Sequence, residues 1–136
     1  MKERQKGFVK RTTLIVLLVI GLFLAGVVTL LPRSFSDDLS LIGKGSSSVV
    51  LTHDKNLLGS QTTMELLNNV RSDYEPNVHF LVVDVATLKG REFMQRHQVG
   101  AVSLLFFGPD GRRKSLLEAG GTEPAVRAAL DKIISD

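Results

Sequence analysis

His53, His79 and His97 are the side chains of this sequence that could hold a metal ion, and His53 with Asp54 is its best-placed acid–base pair. Spacing takes neither further. His79 falls in an apolar run, His97 closes a helical pattern, and His53 precedes the stretch LLGSQT, so no two have a usual metal-ligand spacing. An acid–base pair needs a nucleophile, and Ser60 and Thr62 qualify only by elimination. The expected role of all these groups is structural, with no metal and no cofactor. Asp84, at the end of an apolar run, is expected to cap a loop, and Phe106 and Phe107 to enter the core from opposite faces of a sheet. The 136 residues include no cysteine. A thiol nucleophile, thiol–disulfide exchange and a sulfur-ligated metal are excluded.

The elements that must position these groups follow from periodicity and punctuation. Ser47–His53 is a β-rich run suited to a buried strand. Thr62 to about Ser72 reads as a helix, with Thr62 and Glu65 at capping-box spacing and Met64, Leu66, Leu67 and Val70 on its apolar side. Val78–Val85 is the clearest strand, and 87–97 reads as a second helix. VSLLFF, residues 102–107, is a continuous apolar run of the kind buried on both faces. GPDG, residues 108–111, is a turn in which Pro fixes φ and Gly permits a positive φ, and RRKSLLEAG returns as an antiparallel partner. Thr122 then caps a last helix whose Val126, Leu130, Ile133 and Ile134 face inward. Leu39–Ile42 reads as a short edge strand. The order predicts a four-stranded mixed α/β sheet with helices on both faces, through two strand–helix–strand crossovers and one hairpin.

Ahead of this domain, residues 12–31, TTLIVLLVIGLFLAGVVTLL, carry no charge. As a helix they span roughly 30 Å, the hydrocarbon thickness of a bilayer. Lys2, Arg4, Lys6, Lys10 and Arg11 precede the run against Glu3 alone. The positive-inside rule therefore predicts a cytoplasmic basic tail at 1–11, a single-pass anchor in the inner membrane at 12–31, a linker at 32–38 and an extracytoplasmic, periplasmic domain at 39–136. A cleaved signal peptide would have a shorter apolar core and a small-x-small site, which TLLPRSF does not offer. Gly21 and Ala25 have the spacing that lets two membrane helices approach, so a homodimer through the anchor is one expectation; ordinary membrane-helix composition explains the pair as well. Residues 1–33 hold six of the 17 basic residues and one of the 14 acidic ones, leaving the rest formally at −2. The basic pI thus belongs to the membrane flank and gives no reason to expect nucleic acid. The run Arg112, Arg113, Lys114 reads as a solvated strand end.

The stretch VVLTHDKNLLGSQTTMELL, followed by VHFLVVDVATLKGREFMQRHQVGAVSLLFFGPDGR, resembles the thioredoxin-like superfamily. LLFFGPDGR is especially similar to the membrane-linked periplasmic thiol–disulfide interchange branch. The resemblance covers roughly residues 39–135. It sets Leu57 where the family has tryptophan, Leu58 and Gln61 where it has its two cysteines, Gly59 on its glycine and Ser60 on its proline. It also implies that Thr52 stands where the family keeps a buried acid, and Val102 or Ser103 where it keeps a cis-proline. All three parts of the redox apparatus are replaced, so the resemblance implies a redox-inactive loop.

Two functions remain. The first is a membrane-anchored accessory or scaffold subunit that binds an envelope or membrane protein, with Leu57, Leu58, Gly59, Ser60, Gln61, Val102 and Ser103 around the former site as its rim. The alternative is a part in thiol–disulfide interchange, or in cytochrome or envelope-protein maturation, through a partner's cysteines.

Overall fold

A computed structural model describes residues 2–30 and 34–135, with the side chains of 10–28 and 34–135. Leu31, Pro32 and Arg33, which fall in the expected anchor and linker, lie outside the described residues, as do Met1 and Asp136. The chain divides into two compact units, residues 1–34 and 35–136. In the first, helix α1 (Lys2–Leu30) contains the apolar window Lys10–Val28, long enough to cross a bilayer and unburied by the protein itself. It suits a membrane anchor or a signal sequence.

The second unit is a four-stranded mixed sheet flanked by helices. Its elements are β1 (Ser47–His53), α2 (Leu58–Tyr74), β2 (Val78–Asp84), α3 (Leu88–His97), β3 (Leu104–Phe107), β4 (Arg113–Leu117) and α4 (Glu123–Ser135). The sheet order is β2-β1-β3-β4; β1 and β2 are parallel and the other pairs antiparallel. Alternation along the two central strands feeds two cores. Val49, Leu51, Leu104 and Phe106 pack against Leu67 and Val70 of α2 and Val126, Leu130 and Ile133 of α4. Val50, Leu105 and Phe107 pack on the other face against Phe93 of α3. Phe106 and Phe107 therefore serve opposite cores, as their adjacency predicts. Each of these aliphatic and aromatic side chains, taken from full exposure to full burial, contributes roughly 1.5–3 kcal/mol.

Several local expectations are corrected. Only β1–α2–β2 is a parallel crossover. The end of β2 pairs Asp84 with His53, and the start of β3 pairs Leu104 with Leu51, so β2 stops and β3 starts at the same end of the sheet. Ten-residue α3, about 15 Å long, carries the chain across the strands without returning it to their other end, and β3 must run antiparallel. Residues Leu39–Leu41 form a 3-10 turn capped by Asp38, whose carboxylate accepts from the Ser40 N–H at 3.1 Å, and no strand. Edge pairing comes earlier: the Val82 N–H donates to the Ser36 carbonyl at 2.9 Å, and Phe35 packs on the core. Helix α2 starts four residues before Thr62. The chain enters it from a turn in which Asp54 accepts from the Asn56 N–H at 2.9 Å, and Leu57 takes the cap position without a capping side chain. Thr62, the fifth residue of the helix, donates its hydroxyl back to the Leu58 carbonyl at 3.1 Å, so it makes no capping box. The helix ends one residue before Glu75, which precedes Pro76.

Candidate functional site

The stretch LLGSQT spans the β1–α2 junction. Leu57 and Leu58 are 44% and 77% exposed, which sets them apart from the core leucines, all essentially unexposed. Gly59 and Gln61 are exposed as well, and Ser60 is fully buried. The Ser60 oxygen accepts from the Asp54 N–H at 2.9 Å and lies 2.6 Å from Nδ1 of His53. A serine hydroxyl has one hydrogen and two lone pairs, so it serves the amide and the ring nitrogen together. Sequence reasoning names His53 and Ser60 separately; the structure brings them together. It does not make a catalytic pair of them, because the Ser60 oxygen is enclosed and committed to two partners. The Asp54 carboxylate caps its own turn, and Thr62 faces the Leu58 carbonyl, so neither joins them. The pair acts as a strut that fastens the first turn of α2 to the end of β1.

Thr52, the residue before His53, organises the facing loop. Its hydroxyl donates to the Gly100 carbonyl at 2.8 Å and accepts from the Ser103 N–H at 2.9 Å. Its backbone receives the Val102 N–H at 2.7 Å and donates to the Ser103 carbonyl at 3.0 Å. Thr52 is completely buried, and its hydroxyl is satisfied where an acid would be costly to ionise. Val102 and Ser103 are nearly buried, and neither follows a cis peptide bond; the cis bond found among the described residues precedes Pro76. Val102 has φ +60°, an outlying conformation for a β-branched residue. A Cβ placed on Gly59 would lie 3.9 Å from Val102 Cγ1, so the loop and the 98–103 segment meet face to face.

A third loop, which sequence reasoning does not single out, closes the site. Gly120 packs so tightly on α2 that a Cβ there would overlap Thr63 Oγ1, and its φ of +78° requires glycine. Thr63 in turn donates to the Gly59 carbonyl at 2.7 Å. The neighbouring Ala119 also has a positive φ, +54°. Gly120 alone carried a sequence signal, as one of two adjacent glycines after an apolar run. The exposed surface of the three loops includes Leu57, Leu58, Gly59 and Gln61, then Gln98, Gly100 and Ala101, and Glu118, Ala119 and Gly121.

The remaining candidates lie apart. Asp84 caps the β2–α3 loop by accepting from the Ala86 N–H at 2.8 Å. His97 lies between Phe93 and Phe107, with ring centroids 4.5 and 5.3 Å away. Burial first, then the charges of Arg113 and Arg96, hold its pKa below the usual histidine value. No cluster of metal-ligating side chains forms among the described residues. Two surface hollows, of about 230 and 240 Å³, lie near Arg71 and His79 and near Ser47 and Pro109; both are lined by Pro76, at the end of the sheet where β1 and β2 begin.

No family model matches the sequence, and no curated protein matches it. Solved structures do. With a thioredoxin from Thermus thermophilus the chain shares 16% identity at a TM-score of 0.64, over 76% of this chain and 88% of that one. Mitochondrial thioredoxin 3 from Saccharomyces cerevisiae is 18% identical, TM-score 0.58, covering 68% of this chain and 84% of its own. Thioredoxin O2 from Arabidopsis thaliana is 17% identical at the same TM-score, covering 68% and 83%. Residues 35–136 have the thioredoxin fold, built without a cysteine.

Proposed function

We propose that this chain is a redox-inactive, membrane-anchored accessory or scaffold subunit whose extracytoplasmic thioredoxin-like domain binds an envelope or membrane protein through the β1–α2 end. The observation that carries the reading is the exposure of Leu57 and Leu58 beside Val102, a strained residue that the surrounding hydrogen bonds hold in place. Exposed leucines on a rigid junction cost solubility and contribute nothing to the core, and strained backbone concentrates at binding surfaces. The lack of any cysteine removes the mixed disulfide on which the usual exchange reaction depends, so recognition is the function left to this surface. A part in disulfide interchange through a partner's thiols shares the same surface and has only the fold in its favour.

The test is site-specific photocrosslinking in native membranes. A photoreactive residue at Leu58 is expected to give a discrete adduct, and the same residue at Asn69 on the exposed side of α2 is expected to give none. The adduct should weaken when Leu57 is changed to Ser beside it. Equal adducts from both positions, or none from position 58, would reject the binding surface.

A further inference from the structure

Most acidic side chains that pair at all in residues 35–136 pair away from the β3–β4 turn: Glu75 with Arg71, Asp37 with Lys89, and Asp73 and Glu123 with Arg127. Lys44, Arg96, Arg113 and Lys114 are exposed and make no ion pair among the described residues. They also converge. Arg113 Nη1 donates to the His97 carbonyl at 2.8 Å, which sets it beside Arg96 at the end of α3. A Cβ on Gly43 would lie 3.2 Å from Gly111 Cα, and the Gly45 N–H donates to the Pro109 carbonyl at 3.1 Å. Those contacts press Lys44 against the turn that leads into Arg112, Arg113 and Lys114. The Lys114 stem folds over Gly108. The local acid, Asp110, accepts the Arg112 N–H at 3.0 Å and pairs loosely with the Arg112 side chain at 3.5 Å, so it offsets one charge of five.

We propose that this basic face, formed by Lys44, Arg96, Arg112, Arg113 and Lys114, docks on the anionic phosphate headgroups of the bilayer that holds the chain's own N-terminal helix. The proposal rests on the membrane-anchored reading above. Charge complementarity supports it, because a unit with 11 basic and 13 acidic residues gathers five of the cations on one face. Tether length supports it too. Phe35 begins the packed domain five residues after Leu30, a reach of roughly 17 Å fully extended, which holds the domain close to a charged surface while leaving it free to turn its basic face toward that surface. Phosphate groups are the anions such a surface presents to arginine and lysine. The patch has no exposed aromatic side chain on which a nucleic acid base could stack.

The lack of native cysteine permits a single dye on the full chain, at Gln95→Cys beside Arg96 or, as reference, at Asn69→Cys. The chain is placed in phosphatidylcholine nanodiscs with and without phosphatidylglycerol, each with a headgroup-quencher lipid. Quenching at position 95 is expected to rise about twofold or more with phosphatidylglycerol. It should vanish in ~1 M salt, where the screening length is ~3 Å, and in the folded variant Arg96→Glu, Arg113→Glu, Lys114→Glu. Position 69 should not respond. Equal quenching in both discs, or a lipid response that survives charge reversal, would overturn the docking. An alkaline carbonate wash separates the two failures: release of the chain overturns the anchor and the docking together, whereas retention with composition-independent quenching overturns the docking alone.

Discussion

The hydroxyl oxygen of Ser60 lies 2.6 Å from Nδ1 of His53, joining the first turn of α2 to the last residue of β1. Since that oxygen is buried and also holds the Asp54 amide, Ser60→Ala should destabilise the domain by about 1–3 kcal/mol. Thermal denaturation should register it as a drop of about 4–8 °C for each kcal/mol. An unchanged melting temperature accompanied by loss of an esterase activity would make the pair catalytic and refute the strut.

Leu57→Ser with Leu58→Ser should leave thermal stability within about 0.5 kcal/mol of the parent chain, as exposed positions do. Capture of the partner found by crosslinking should fall about tenfold or more, since ~100 Å² of apolar contact is worth roughly 2–3 kcal/mol. A large loss of melting temperature would show that the leucines belong to the core.

Leu58 and Gln61 are the first and fourth residues of α2, both exposed. Three positions apart on a helix, their Cβ atoms lie about 5–6 Å apart, near enough for small shifts to close a disulfide. Leu58→Cys with Gln61→Cys should form one in mild oxidant without unfolding, and a free-thiol count before and after oxidation reads it. The thiol at position 58, nearer the positive end of the helix dipole, should be the more acidic. Exchange activity should stay low, since Thr52 supplies no acid. Two thiols that remain free would reject the alignment of LLGSQT with the family's redox loop.

His97 binds its proton less readily in the folded chain than in the unfolded one, because it is partly enclosed by Phe93 and Phe107 and faces Arg113 and Arg96. Between the two pKa values the unfolded chain carries more protons, so stability falls as pH drops below the unfolded value near 6.5 and levels off below the folded one. Melting temperatures from about pH 7.5 to 5 should show this slope in the parent and a flatter one in His97→Gln. Asp38 and Asp110, whose pKa values are lowered chiefly by hydrogen bonds from Ser40 and Arg112, act only in the more acidic carboxylate range. Parallel slopes in the two chains would exclude His97 as the source.

Alkaline phosphatase fused after Asp136 should be active in cells, since the basic residues before Thr12 predict export of everything that follows. Activity from a fluorescent fusion that matures only in the cytoplasm, with a silent phosphatase, would reverse the orientation.

Local interactions made much of this molecule legible in its residues. The apolar run from Thr12, the strands read at Ser47–His53 and Val78–Val85 and the turn at Gly108–Gly111 depend on periodicity, Pro and Gly geometry and neighbouring side chains. The exclusion of thiol chemistry needs composition alone. Contacts between distant segments decided the rest. The start of α2 was hidden because Leu57 has no capping side chain and a turn through Asp54 does the work. The direction of β3 depends on where α3 delivers the chain over the sheet, and that is set by packing of Phe93 against Phe107. The strain at Val102 arises because Thr52, about fifty residues earlier, holds both sides of it by hydrogen bonds. Lys44 and Arg96 join Arg112, Arg113 and Lys114 only because Gly43 meets Gly111 and Arg113 reaches the His97 carbonyl. Charge spacing along the chain carries no trace of that gathering, since loop closure between such distant residues is stabilised by the whole core and by no local preference.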